Sequence, residues 1–166
     1  MKYFLFLFFA FLFFSCGNQE KSWDYYRISG PAQGTTYHIT VAYEDPKSLQ
    51  TEIDSLLAQI DASLSTYRDD SFISAWNENR LQEGQLPDTH FQQMILQSDS
   101  LVRWTDGYFD PTVGPLLEVW GFGKKQAAEV SAESIESALK ISGWNLVEWE
   151  DKQLPTKKMD EVQLNF

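Results

Sequence analysis

The chain has 166 residues, with 24 acidic against 13 basic side chains and a formal charge of -11. That length suits one domain or part of a larger one, and an acidic chain without a Lys/Arg run argues against nucleic acid as a partner, because phosphate contacts need clustered cations. One cysteine and two histidines exclude an internal disulfide and a Cys/His zinc site.

Lys2 precedes an uncharged run from Tyr3 to Phe14 that holds seven of the twelve phenylalanines. The run is well short of the roughly 20 residues that span a bilayer. With its positive start and the small Ser15 at its end, it reads as a signal peptide over residues 1–15. The only cysteine, Cys16, follows directly and resembles a bacterial lipobox, in which the cysteine is diacylated and begins the mature protein. An ordinary signal peptide with a chance cysteine is the alternative. Acyl chains contribute roughly 0.8 kcal/mol per buried CH₂. The expectation is therefore an exported protein, lipid-anchored to a bacterial membrane and facing the periplasm or cell surface, with residues 16–24 as tether.

Tyr25 to Ile28 and Thr35 to Tyr43 alternate and favour β structure, and residues 29–34 between them read as a long hairpin loop. On the second strand Tyr37, Ile39, Val41 and Tyr43 share one face, which leaves His38 on the outer one. Asp45-Pro46 opens a helix whose buried face is Leu49, Ile53, Leu56, Leu57, Ile60 and Leu64. Ser65 to Asp70 reads as a loop. A second helix is predicted from His90 to Thr105, capped by Asp88 or Thr89, stopped by Gly107 and burying Phe91, Ile95, Leu101 and Val102. A third runs from about Ser131 to Ile141, with Ile135, Ala138 and Leu139 inside and Gly143 as stop. Trp144 to Trp149 and Val162 to Phe166 read as strands around a charged turn. The fold class is α+β, a mostly antiparallel sheet with packed helices. A half-buried strand reaching Phe166 without a polar tail suggests truncation at the C-terminus, although chains also end this way naturally.

Several catalytic signatures fail. Gly121-Phe122-Gly123-Lys124-Lys125 lacks the upstream glycine of a phosphate loop, since position 118 is Glu, and no Ser or Thr follows the lysine. No Rossmann glycine fingerprint, serine elbow or cysteine nucleophile with a histidine partner is present in the mature chain. What stands out is the dense segment from Thr105 to Gly123. It reads in two ways: as a rigid backbone that lets N–H groups and aromatic faces approach a flat ligand, or as a tight turn plus short helix from Pro115 to Gly121 with Trp120 and Phe122 in the core.

Gly107 to Gly123 resembles the signature of the ApbE family, the FAD:protein FMN transferases. Two further stretches resemble family motifs in the same order: Ala32-Gln33-Gly34-Thr35-Thr36-Tyr37, and Leu64-Ser65-Thr66-Tyr67-Arg68-Asp69-Asp70-Ser71 with Asn77. The resemblance implies that 25–166 is the N-terminal part of an ApbE-like flavin transferase domain. It further implies that FAD is held by Gln33, Tyr67, Tyr108, Phe109, Asp110 and Asn165. Each has a plainer reading as packing, turn or surface residue. Two departures are visible: Gln33 stands where the family commonly has Met, and Asn165 where it commonly has Asp.

The same resemblance implies the chemistry. A threonine hydroxyl of an acceptor protein, a membrane redox-complex subunit being one candidate, attacks the FMN-side phosphorus of Mg²⁺-bound FAD and releases AMP. The family's metal ligands are expected beyond residue 166, so no metal ligand or catalytic residue is assigned here. A non-catalytic FAD-binding lipoprotein and an inactive gene fragment are the alternatives.

Overall fold

In the computed structural model, which describes residues 24–122, 130–150 and 153–166, the predicted hairpin has a tighter turn than its spacing suggests. Strand β1 (Tyr25–Ala32) runs through the expected loop and pairs antiparallel with β2 (Thr35–Ala42), Pro31 lying opposite Thr36. Only Gln33 and Gly34 connect them, both left-handed, with φ of 49° and 78°. Successive positive φ values match the twist of a two-residue hairpin turn, and Gly34 supplies one without strain. The loop reading fails because a two-stranded hairpin is all edge, where a proline interrupts nothing essential. Gly30 is required by its neighbour: a Cβ there would come within 2.7 Å of the Tyr37 ring, which lies across it. Exposed His38 stays on the outer face and pairs with Thr36.

Helix α1 (Pro46–Leu64) starts as read, with the Asp45 carboxylate accepting from Ser48 N at 3.1 Å. Its apolar face is less buried than its periodicity predicts. Leu49, Ile53, Leu57, Ile60 and Leu64 are half-buried, Leu56 is exposed, and Ser63 is the fully buried position. A helix of this length extends about 28 Å, and the narrow hairpin covers only part of it. The hairpin docks through polar bonds, Tyr37 Oη to Asp54 Oδ1 at 2.6 Å and Gln50 Nε2 to Ser29 O at 2.9 Å.

A short helix α2 (Phe72–Asn77), not foreseen, follows the loop and buries Ile73, Ser74 and Trp76. Less than two turns is too short for a periodic signal. Helix α3 (Thr89–Trp104) is capped by Asp88, whose Oδ1 accepts from His90 N, Phe91 N and Ser63 Oγ. Phe91 and Ile95 are buried as predicted, but Leu101 is exposed and Val102 half-buried, because nothing described packs on that flank. Helix α4 (Gly114–Val119) and helix α5 (Ala132–Lys140) follow, the latter held by a Ser131–Ser134 capping box. They pack against each other, with Ala138 buried as read but Leu139 exposed, against the reading that placed it inside.

The expected strand Trp144 to Trp149 is a 3₁₀ turn (Trp144–Leu146) leading into a two-residue β3 (Val147–Glu148), which pairs antiparallel with β4 (Thr156–Lys157). Residues 162–166 form no strand, although Val162 and Leu164 are fully buried. Their backbone partners are a side chain and a loop carbonyl instead of a neighbouring strand. The fold is α+β with antiparallel pairing throughout its described strands. The core gathers Ile73, Trp76, Phe91, Ile95, Val147, Val162 and Leu164. Phe91 is its centre, with the Phe72 and Phe166 rings at 4.8 and 6.1 Å in edge-to-face contact.

Candidate functional site

The site is built from the hairpin turn, the loop after α1 and the closing segment. Ser71 shapes the loop: its hydroxyl proton is shared between Ser65 O at 2.7 Å and Arg68 O at 3.0 Å, and its oxygen accepts from Ser74 N as the cap of α2. One side chain thus closes the loop and starts the helix, which leaves Tyr67 projecting with 74% of its surface exposed. The Tyr67 hydroxyl reaches Phe122 O at 3.5 Å. Arg68 forms a bidentate pair with Asp70 at 2.9 and 2.8 Å and holds that carboxyl below its usual range.

Gln33, Gly34, Tyr67, Arg68, Asn165 and Phe166 border a groove of about 720 Å³. A smaller adjoining pocket of about 150 Å³ shares Thr66, Tyr67 and Asn165 and is closed by Leu117, Glu118, Phe122 and Gln163. The backbone at Gln33 is left-handed, a conformation that costs a non-glycine residue about 1 to 3 kcal/mol, and such strain gathers at functional positions. The groove is mixed in character: aromatic faces from Tyr67 and Phe166, amides from Gln33 and Asn165, the Asp61 carboxylate, and the Arg68 guanidinium already paired with Asp70.

Three of the six sequence-predicted residues, Gln33, Tyr67 and Asn165, therefore meet. Tyr108, Phe109 and Asp110 stand outside this lining. Tyr108 is 96% exposed and Phe109 36% exposed. Asp110 is occupied within the chain: Oδ1 accepts from Thr112 N at 2.8 Å and Thr112 Oγ1 at 2.6 Å, and Oδ2 accepts from Trp144 N at 3.2 Å. Thr112 Oγ1 in turn accepts from Gly143 N at 2.6 Å. This cluster ties the glycine- and proline-rich segment to the turn after α5. The two loops stay connected, since Asn165 N donates to Pro111 O at 2.7 Å.

Trp120 and Phe122 are exposed, which sets aside the reading that placed them in the core. Phe122 faces the small pocket instead. Residue reading missed Phe166, Arg68 and Gln163 as lining; their nearness to motif residues in the chain is the signal that could have found them. Cys16, and Gly123 with Lys124 and Lys125, lie outside the described residues.

The ApbE family pattern matches residues 33–166. The chain belongs to the ApbE family. A Vibrio cholerae relative named FAD:protein FMN transferase is 36% identical over 130 residues, covering 75% of this chain and 39% of its own length. A Haemophilus influenzae relative of the same name is 32% identical over 118 residues, 66% of this chain and 34% of its own. Among solved structures, the flavin transferase ApbE from Vibrio cholerae superposes with a TM-score of 0.78 at 31% identity, covering 87% of this chain and 48% of that one. The apo form of Pseudomonas stutzeri flavinyl transferase ApbE gives 0.75 at 29% identity, over 87% and 50%. The chain spans half or less of the length of each of these ApbE proteins.

Proposed function

We propose that this chain carries the flavin-binding part of an FAD:protein FMN transferase. The observation that carries the reading is the groove where Gln33, Tyr67 and Asn165 meet. The first two come from separate ApbE family motifs, and the third from the closing segment. Tyr67 offers a face on which a flavin or adenine ring stacks, and the two amides can both donate to and accept from heterocycle edges and ribose hydroxyls. The Arg68 guanidinium is paired with Asp70 and the Asp61 carboxylate also borders the groove, so the pyrophosphate gains net positive charge there only if it displaces Asp70 from the guanidinium.

In the reaction proposed, a threonine oxygen of an acceptor protein bonds to the FMN-side phosphorus. The pyrophosphate bond breaks, AMP leaves with the electron pair, and the hydroxyl proton is released. These residues contribute by holding the flavin half still while the acceptor approaches, which converts part of the barrier into binding. Mg²⁺ belongs to the same reading, but among the described residues no group of three or more His, Cys, Asp or Glu could hold a metal ion, so no step is derived through it.

The acceptor is a threonine-containing protein, a membrane redox-complex subunit being one candidate. Export and anchoring at Cys16 complete the reading; radioactive palmitate should label the wild type and not Cys16→Ser, and equal labelling would refute the anchor. No described helix is long and apolar enough to cross a membrane.

The departures at Gln33 and Asn165 favour a second reading, a lipoprotein that binds FAD without transferring it. Incubation with FAD, Mg²⁺ and a threonine-containing acceptor, followed by denaturing electrophoresis, separates the two. Because the resemblance places the family's metal ligands beyond residue 166, the deciding arm is a version extended to the length of these relatives. There, fluorescent flavin on the acceptor supports the transferase, and FAD binding without labelled acceptor supports the carrier.

A further inference from the structure

We infer that Asn77 is a positioning residue for the flavin groove, acting through the backbone of the closing segment. The inference rests on the flavin reading above and deepens it. Asn77 ends α2, and its side-chain amide faces Leu164 as a second strand would: Leu164 N donates to Asn77 Oδ1 at 2.8 Å, and Asn77 Nδ2 donates to Leu164 O at 2.9 Å. Because Leu164 presents one donor and one acceptor, only one orientation of the amide satisfies both. Residues 162–166 lie in no sheet, so this bidentate pair does the work of a ladder. Leu164 is buried, and buried backbone groups need partners.

Two other contacts hold the same three residues. Asn165 N donates to Pro111 O at 2.7 Å, and Gly114 lies so close that a Cβ there would come within 2.9 Å of Gln163 Cβ and 3.2 Å of Gln163 O. The segment from Gln163 to Asn165 is thus fixed from both sides, by the end of α2 and by the start of α4, and it lines both parts of the groove. The Asn77 carbonyl also accepts from Lys157 Nζ at 2.8 Å, so β4 braces the residue that braces the segment. Asn77 borders the small pocket, but its amide is spent on Leu164. Its effect on flavin is therefore the placement of Asn165 opposite Tyr67 and Gln33.

The test uses the full chain and three variants. Asn77→Leu keeps the branched shape at Cγ and removes both bonds; Asn77→Asp keeps the acceptor and loses the donor. Asp45→Ala, which uncaps α1 at the end opposite its groove-lining residues Ile60 to Leu64, serves as a control for destabilisation alone. FAD affinity is measured by titration well below each melting temperature, together with hydrogen exchange at Leu164 and Asn165. The expected result is that Asn77→Leu weakens FAD about tenfold, equivalent to about 1.4 kcal/mol, and speeds exchange at both amides. Asn77→Asp should weaken it at least several-fold, whereas Asp45→Ala lowers the melting temperature with unchanged affinity. Equal FAD affinity in wild type and Asn77→Leu would overturn the positioning role. So would a loss of affinity in Asp45→Ala matching that in Asn77→Leu at equal melting temperature. A wild-type chain that binds no FAD would overturn the flavin reading itself and take the positioning role with it.

Discussion

Asp110 holds three hydrogen-bond donors with two oxygens, and those bonds join the dense loop to the backbone at Trp144. Asp110→Asn keeps one acceptor but turns an amide N–H₂ toward either the two Thr112 donors or the Trp144 N–H, so at least one donor loses its partner. Bonds to a charged acceptor contribute about 1.5 to 3 kcal/mol each. The variant should lose about 2 kcal/mol of unfolding free energy in urea, with a weaker FAD affinity as a consequence. An unchanged midpoint would show that the carboxylate is dispensable to the loop. The family motif singles out Asp110 in the sequence but does not tell whether its oxygens face a ligand or the chain's own N–H groups. That distinction depends on Gly143 and Trp144, more than thirty residues away.

At the scale of elements, the pattern of legibility follows length. Helices α1 and α3 are long enough to repeat a 3.6-residue period and carry side-chain caps at Asp45 and Asp88, so they could be read directly. Helix α2 and strands β3 and β4 are too short to repeat anything, and residues 162–166 alternate like a strand while pairing with Asn77 and Pro111. Alternation reports burial, and burial does not require a ladder. The closeness of α4 to this segment makes a prediction: Gly114→Ala forces a methyl against Gln163 Cβ and carbonyl. Overpacking of this kind costs about 1 to 3 kcal/mol. Guanidinium unfolding should show that loss, and an unchanged midpoint would mean that the segment yields freely.

For the molecule as a whole, stability should depend on pH through Lys157. Its ammonium sits 4.5 Å from the Trp76 ring centre and donates to the carbonyls of Asn77 and Asp160. Burial nevertheless pushes its pKa from 10.5 down to about 8, with Asp160 and Glu161 opposing. Between those values the unfolded chain keeps a proton that the folded chain has released, so stability rises with pH across the window and is lost again as pH falls through about 8. Lys157→Met should flatten that rise in urea midpoints measured from about pH 7.5 to 10.5. Parallel profiles for the two proteins would contradict the assignment. Lys157 is only partly buried, which keeps the effect modest.

The same scale shows how far the sequence reached. Three motifs lie at residues 32–37, 64–77 and 107–123, and the fold brings two of them together with the closing segment around one groove. The backbone strain at Gln33 and the exposure of Trp120 and Phe122 were not legible, because both depend on which surfaces remain uncovered once the chain has folded. The central claim is that this groove holds FAD. Titration of the full chain with FAD, followed by flavin fluorescence, tests it most directly when paired with Tyr67→Ala. Tyr67 is exposed, so its removal should change unfolding free energy by no more than about 0.5 kcal/mol. Losing an aromatic stacking partner and its contact area should weaken FAD about tenfold. Saturable binding by the wild type with that loss in the variant is the predicted result; no saturable binding, or equal affinity in both, would contradict the account.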